Sequence, residues 1–280
     1  MPKLLTSTQA AQYERDGFVS PLRVMSLEDA SRYRARFEHY EAANGGWYEQ
    51  SKGQKIYLVQ TWVAELVSDP RVLDAVEDVL GPDLMCWGVS LFVKEARSPG
   101  YVSWHQDSTY WGLSEPAVVT AWVALSPATC QSGCMKMLPG SQNLDQVAHH
   151  DTLHRDNLLT RGQEIAMEVD ETRSVACPLE PGEISLHNIR TVHASEPNRS
   201  DDRRIGVAIR YIAPRVRQVA SERDSAWLVR GEDRFGNFVH ERPPKADMDP
   251  EALAERDRVM ALRQGVLYRD VKGKPAHTDL

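Results

Sequence analysis

The chain has 280 residues, of which 41 % are hydrophobic and 26 % charged, a composition typical of a soluble globular protein. Its formal net charge of −7 gives no general attraction for phosphate backbones or anionic lipids, so neither nucleic acid nor membrane is an expected partner. The sequence lacks a run of about 20 apolar residues and the apolar core of a secretory signal, which predicts a cytoplasmic protein.

Helical signals dominate the first third of the chain. Thr6 and its hydroxyl neighbours precede strong helix formers that stop at Gly17, which predicts a first helix. A second helix is expected from Ser26 to about Asn44, and a third from Asp69 to Leu80, before a Gly-Pro pair. Another helical pattern, with mixed charge, covers residues 249–267 near the end of the chain.

From residue 90 onward the pattern changes to short segments rich in β-branched and aromatic residues. Pro, Gly, Ser and Asp clusters separate them, which is typical of a sandwich or barrel rather than a parallel α/β sheet. No repeat or long linker interrupts the chain. We therefore expect one mainly β domain over residues 1–280, with a helical part at about 1–85, a core at about 86–215 and an extension at about 216–280.

Four cysteines are too few for a disulfide framework and are expected to be reduced. Cys130 and Cys134 are four positions apart and histidines follow at 149, 150 and 154. This spacing is looser than that of structural zinc motifs and no second cysteine pair follows, so a zinc site is not expected.

The segment Trp104-His105-Gln106-Asp107 carries the strongest chemical signal. In a strand, alternate side chains share a face, so His105 and Asp107 point the same way. A third ligand must come from elsewhere, and His193 is the best candidate. Two imidazoles and one carboxylate on one side of a metal leave positions open, the arrangement found in Fe(II) oxygenases.

A second signal lies in the strand-like segment that begins at Arg204. Alternation places Arg204, Gly206 and Ala208 on one face and the large apolar residues on the other. A cation beside two minimal side chains suggests an anchor for a dicarboxylate above a cleared space. Trp122 similarly shares its predicted face with the small residues Thr120 and Ala124.

Together these landmarks resemble the phytanoyl-CoA dioxygenase family of 2-oxoglutarate oxygenases. The resemblance rests on YERDGFV, WHQD, a tryptophan seventeen residues after the first histidine, LPGS and HASEPNRSDDRR, which follow the family's order from Gln12 to Ile212. It implies a double-stranded β-helix core of the jelly-roll or cupin-like kind, wrapped by helices, with iron between two sheets.

The resemblance also implies roles for individual residues. His105, Asp107 and His193 match the ligands of Fe(II). Arg204 matches the arginine that pairs with the distal carboxylate of 2-oxoglutarate, and Trp122 a tryptophan of that pocket. Further residues expected close to the metal or co-substrate are Gln106, Ser195 and Lys94.

The reaction implied is hydroxylation of an unactivated C–H bond of a small molecule by O₂, with 2-oxoglutarate converted to succinate and CO₂. Asp107 fills the position that halogenases leave for chloride, which favours hydroxylation, or a desaturation or ring closure, over halogenation. The alternatives are a β-sandwich binding protein without catalysis and a halogenase-type or other-metal cupin. A monomer or homodimer is expected.

Several residues are predicted to contact substrate. The aromatic and hydroxylated residues around the metal motif are the first group, and a polar segment from His149 to Arg161, long enough to form a lid, is the second. Basic residues on that segment suggest a small anionic or zwitterionic substrate such as an amino acid or a phosphonate. The predicted substrate residues are Trp104, Tyr110, Trp111, Arg155 and Arg161.

Overall fold

A computed structural model describes residues 2–46, 54–221 and 223–267 of the chain. The α-helices are α1 (Ser7–Asp16), α2 (Leu27–Ala43), α3 (Thr61–Val67), α4 (Pro70–Leu80) and α5 (Pro250–Leu267). The strands are β1 (Phe18–Arg23), β2 (Leu84–Lys94), β3 (Val102–His105), β4 (Val118–Ala124), β5 (Met135–Met137), β6 (His149–Asp151), β7 (Gln163–Ile165), β8 (Val175–Cys177), β9 (Glu183–Asn188), β10 (His193–Ser195), β11 (Arg204–Ile212), β12 (Ser225–Arg230) and β13 (Val239–His240).

Two sheets form the core. The major sheet has the order β1-β9-β4-β11-β2-β12-β13, and the minor sheet the order β3-β10-β5-β8. Neighbouring strands of both sheets are antiparallel, except that β12 and β13 are parallel. The prediction of a mainly β fold with flanking helices and a jelly-roll core is confirmed.

The predicted helix ends are confirmed by their capping groups. Thr6 and Gln9 form a reciprocal capping box at the start of α1, and Gly17 ends that helix in the left-handed conformation, with φ of 82°. Ser26 caps α2 and Asp69 caps α4, which has a proline in its first turn. Helix α3 was not predicted, because its seven residues give too short a pattern to separate from a strand.

The alternation of β11 fixes the two faces of the major sheet. Ile205, Val207, Ile209 and Tyr211 belong to a large apolar cluster with residues of α2, α3 and α4, so the helices cover the outer face. Arg204 and its alternate neighbours point to the inner face, between the sheets. This is the arrangement that the alternation predicted. Among the described residues, no helix is both long and apolar enough to cross a membrane.

Candidate active site

His105, Asp107 and His193 come together between the two sheets. His105 ends β3 and lies directly opposite His193, at the start of the adjacent β10, with ring centroids 4.1 Å apart. Asp107 follows two residues later on the same side. One ligand atom from each residue lies within 4.8 Å of the other two. The structure therefore assembles the three residues that the sequence pattern selected.

Backbone carbonyls orient both imidazoles. Nδ1 of His105 lies 2.9 Å from the Ser103 carbonyl oxygen, and Nδ1 of His193 lies 2.9 Å from that of Thr191. Because a carbonyl only accepts, each Nδ1 carries a proton, which leaves Nε2 as the nitrogen that can bind a metal. Burial, with His105 alongside, lowers the pKa of His193 well below its usual value, so the ring stays neutral.

The carboxylate of Asp107 completes the donor set. Burial opposes its ionisation, but His105 and His187 outweigh that effect and hold the pKa of Asp107 well below its usual range. Its Oδ2 accepts a hydrogen bond of 3.1 Å from Thr120. Two imidazoles and one ionised carboxylate, all on one side, fit a divalent transition metal with open positions for other ligands.

A cavity of about 30 Å³ extends from these residues along the inner face of the major sheet. Arg204 lies at its other end, with only 1 % of its surface exposed. Its Nη1 donates to the Gly133 carbonyl at 2.5 Å, while its Nε has no hydrogen-bond partner among the described residues. The lining residues are Phe92, Val102, His105, Asp107, Thr120, Trp122, Met135, His187, His193, Ala194, Ser195, Arg204, Ala208 and Arg210.

Gly206 makes room for the Trp122 ring. A Cβ atom at this position would lie 1.9 Å from Cζ2 of that indole, far inside van der Waals contact. The expected cleared space at Gly206 is thus filled by the tryptophan, while Ala208 lines the cavity. The ring centroid is 5.2 Å from Cζ of Arg204, so the indole supports the guanidinium from one side.

Gln106 and Ser195 have different positions relative to the cavity. Ser195 lines it. Gln106 is fully buried on the opposite side, where it donates to the Arg190 carbonyl at 3.0 Å and accepts from the Val147 amide at 2.9 Å. Gln106 therefore holds the neighbouring loop, as expected for the residue between His105 and Asp107 in an alternating segment.

Lys94 lies opposite Arg204 in the β2–β11 pair but does not line the cavity. Its Nζ donates to the Ser195 hydroxyl at 2.7 Å and to the Glu196 carbonyl. Burial, helped by the charge of Arg204, lowers the pKa of Lys94 to about 6. Its contact with co-substrate remains a prediction, and its contacts in the structure are with the wall of the cavity.

The lowered pKa of Lys94 predicts a pH-dependent stability. Between the folded value of about 6 and the ordinary value of 10.5, the unfolded chain binds more protons than the folded chain. The free energy of unfolding should therefore rise with pH in this window, by up to about 1.4 kcal/mol per pH unit from this group. Urea unfolding at several pH values should show a shallower rise for Lys94→Met than for the wild type. Equal slopes would contradict the prediction.

Of the predicted substrate residues, Tyr110 and Arg161 come together outside the cavity. Cζ of Arg161 lies 3.7 Å from the centroid of the Tyr110 ring, and both side chains bind Asp151. The charge of Arg161 is thus compensated. The predicted lid segment forms the β6–β7 hairpin, and His149 accepts a hydrogen bond of 3.0 Å from the Gln106 amide.

The other three predicted substrate residues are separate from one another. Arg155 is exposed, 3.7 Å from Asp156. Trp104 points away from His105 and donates to Glu171 at 3.3 Å. Trp111 is buried against Trp87, with ring centroids 5.1 Å apart. None of the three lines the cavity as described, and their contact with substrate remains a prediction.

Sequence reasoning missed the two further titratable residues of the cavity, His187 and Arg210. Nε2 of His187 lies 3.6 Å from Oδ2 of Asp107, and its ring centroid is 4.7 Å from that of His193. Arg210 shares the inner face of β11 with Arg204, and strand register places Arg210, Thr120 and His187 in one row across the sheet. The alternation rule that identified Arg204 would also have identified Arg210.

Comparison with known proteins gives a consistent result. A family model described as phytanoyl-CoA dioxygenase (PhyH) matches residues 13–206. The chain is 36 % identical to a solved structure of the non-heme monooxygenase ThoJ in its apo form, with a TM-score of 0.84 and coverage of 93 % of this chain and 98 % of that one. A nickel complex of ThoJ gives 34 % identity, a TM-score of 0.79 and coverage of 94 % and 100 %.

Curated relatives are more distant. A probable alpha-ketoglutarate-dependent hypophosphite dioxygenase of Stutzerimonas stutzeri is 25 % identical over 179 residues, which cover 63 % of this chain and 58 % of that protein. An L-proline trans-4-hydroxylase of Streptomyces griseoviridis is 24 % identical, over 47 % of this chain and 53 % of that protein. The chain thus spans less than two thirds of the length of these relatives.

Proposed function

This chain belongs to the phytanoyl-CoA dioxygenase family, and on that premise we propose that it is an Fe(II)- and 2-oxoglutarate-dependent dioxygenase. It hydroxylates an unactivated C–H bond of a small molecule and releases succinate and CO₂. The observation that carries the proposal is one cavity with two imidazoles and a carboxylate at one end and a buried arginine at the other. We also propose that residues 1–280 act as a single oxygenase domain.

In this proposal, His105, Asp107 and His193 hold the iron, which supplies the oxidising chemistry with O₂ and 2-oxoglutarate when bound. Arg204 binds the distal carboxylate of 2-oxoglutarate through a charge-assisted contact. Its Nη1 is held by the Gly133 carbonyl and Trp122 supports the guanidinium, so the cation is already in position before the co-substrate enters.

The protein's other contribution is the exclusion of water. The inner faces of both sheets supply the walls, and the outer face of the major sheet is covered by helices. A charge contact is stronger in such a cavity than in water, which favours tight binding of an anionic co-substrate. Asp107 occupies the third ligand position, which favours hydroxylation over halogenation.

The substrate class we propose is a small metabolite, such as an amino acid or a phosphonate. Support comes from the relatives, whose names specify hypophosphite, proline and, in Streptomyces avermitilis, ectoine as substrates of those proteins. We expect a cytoplasmic enzyme, monomeric or dimeric, that binds neither nucleic acid nor membrane.

Anaerobic absorption spectroscopy tests the proposal. The protein is prepared without oxygen, and Fe(II) and 2-oxoglutarate are added in turn. Chelation of iron by the keto acid at an open facial site should give a weak charge-transfer band near ~500 nm. We expect the band in the wild type, its loss in His105→Ala and its weakening in Arg204→Ala.

The alternative functions give different spectra and products. A binding protein without catalysis would show no band and would bind neither Fe(II) nor 2-oxoglutarate, which would refute the proposal. An enzyme of another metal would release product without responding to 2-oxoglutarate. A halogenase would incorporate chloride into its product.

A further inference from the structure

Arg210 is a buried cation without a carboxylate in direct contact. It is 8 % exposed, and among the residues that the structure describes no ion pair joins its guanidinium to a carboxylate; burial lowers the pKa of Arg210, and Asp107 opposes that effect from a greater distance. A buried cation without a hydrogen-bonded counter-ion costs several kcal/mol, a cost that a ligand of opposite charge at the guanidinium would offset. Arg204 has the same property and the proposed function already assigns it an anion.

The guanidinium of Arg210 is positioned with one edge free. Its Nη1 donates to the Ser90 hydroxyl at 2.7 Å, and Cζ lies 5.2 Å from the centroid of the Trp111 ring. Its Nε has no hydrogen-bond acceptor within the described part of the chain. The edge formed by Nε and Nη2 is the one that binds a carboxylate with two parallel hydrogen bonds.

The position of Arg210 places this free edge beside the metal ligands. Arg210 lies directly opposite Thr120 across the β11–β4 pair, and Thr120 donates to Asp107. Arg210 and His187 flank Thr120 in the same row, and all three line the cavity. A ligand bound to Arg210 is therefore close to the site of oxidation.

The co-substrate is not the anion for this arginine. Arg204 and Arg210 are six residues apart on one strand, which corresponds to about 20 Å between their Cα atoms. In the proposed function, one end of 2-oxoglutarate lies at the iron and the other at Arg204. Each of its carboxylates then already has a cationic partner, so we assign a second anion to Arg210.

We propose that Arg210 binds a carboxylate of the substrate, so that the enzyme oxidises a small carboxylic acid at a carbon near that group. This inference rests on the proposed function. It assigns the recognition of an anionic substrate to Arg210 instead of to the basic residues of the 149–161 segment. Arg161 is neutralised by Asp151, and Arg155 lies at the surface beside Asp156, whereas Arg210 lies within the cavity.

The test uses acetate and acetamide as matched probes, since they differ in charge and hardly in size. Each is titrated into the anaerobic complex of the protein with Fe(II) and 2-oxoglutarate. Sodium chloride is titrated in a separate experiment. Binding is followed by saturation-transfer NMR of the probe's methyl group and by the change in the charge-transfer band. We expect acetate to bind with an affinity on the order of millimolar, and acetamide and chloride at least tenfold more weakly.

Substitutions of Arg210 test whether the preference for acetate over acetamide depends on its side chain. Arg210→Gln should weaken acetate binding at least tenfold, and Arg210→Lys, which keeps the charge but loses the planar edge, should recover part of it. Arg215→Gln is the matched control, because this nearby arginine is exposed and paired with Glu115. Thermal unfolding of each variant verifies that the fold is intact.

Other outcomes overturn the inference. Equal binding of acetate and acetamide, no binding of acetate, or an acetate preference that survives in Arg210→Gln would each do so. If this variant keeps its iron, a surviving preference would place the anion on the metal. If the variant loses its iron and still prefers acetate, Arg210 serves Asp107 instead of the substrate. Absence of the charge-transfer band in the wild type would refute the proposed function, while NMR on the metal-free protein would still report on Arg210.

Discussion

Replacing His193 with alanine should abolish stoichiometric iron binding and lower succinate release by roughly a thousandfold, about 4 kcal/mol in activation free energy. The loss should be this large because one of three protein ligands disappears from a buried position. Asp107 and His105 would be left without the neutral imidazole that lies opposite His105 in the β3–β10 pair. Iron content after anaerobic loading and desalting, together with succinate production, measures both effects.

His150→Ala is the matched control for this prediction. His150 is exposed and lies 3.7 Å from Glu164, so its loss should leave iron content and turnover unchanged. His187→Gln tests whether His187 binds the iron or only lies next to the iron ligands. His187 stands close to Asp107 but outside the group of three ligand atoms, and we expect this variant to retain iron. Retention of iron by His193→Ala, or its loss from His187→Gln, would contradict the ligand assignment.

Replacing Arg204 with methionine should raise the KM for 2-oxoglutarate about a hundredfold or more. Truncating one partner of a desolvated charge pair costs roughly 2–5 kcal/mol, because the other charge remains buried and unpaired. Burial lowers the pKa of Arg204 to about 10, which still leaves the guanidinium charged at neutral pH. Steady-state succinate release over a range of 2-oxoglutarate concentrations gives the KM.

A stability measurement separates loss of 2-oxoglutarate binding from loss of folding as the cause of a raised KM. Arg204 has no acidic partner in the part of the chain that the structure describes, so removing this buried cation should not lower the free energy of unfolding. A urea titration should show Arg204→Met at least as stable as the wild type. Arg203→Met is the neighbouring control. Arg203 points to the other face, where it pairs with Glu41 and Glu95, and its loss should reduce stability but not 2-oxoglutarate affinity. A KM that rises equally in both variants would contradict the assignment of Arg204.

Local sequence rules predicted the parts of the site that depend on alternation within one strand. His105 and Asp107 share a side because they are two residues apart, and the same rule put Arg204 on the inner face of β11. The third ligand could be selected but not located, because the contact between β3 and β10 joins residues 88 positions apart in sequence. The family resemblance supplied that long-range pairing.

The residues that were missed or left outside the cavity show where local rules end. Arg210 has the same alternation as Arg204, but only the register with β4 shows that it lies beside Thr120 and Asp107. Arg161 looked available for an anion, and only the β6–β7 pairing shows that Asp151 neutralises it. Both outcomes depend on which charges are brought together by strand pairing, and the spacing of residues along the chain does not contain that information.

The contact between Gly206 and Trp122 lies on the inner face of β11, where side chains follow one another at a fixed spacing. Each step of two residues along its inner face moves a side chain by about 6.6 Å. The indole occupies the step at Gly206, which has no side chain to displace it, and the two arginines lie on either side of that step. In the proposed arrangement each arginine binds the carboxylate of a different molecule, so the strand sets the spacing between the two carboxylates in whole steps. A related chain that carries its second arginine at the position of Ala208 would hold the two carboxylates one step closer together.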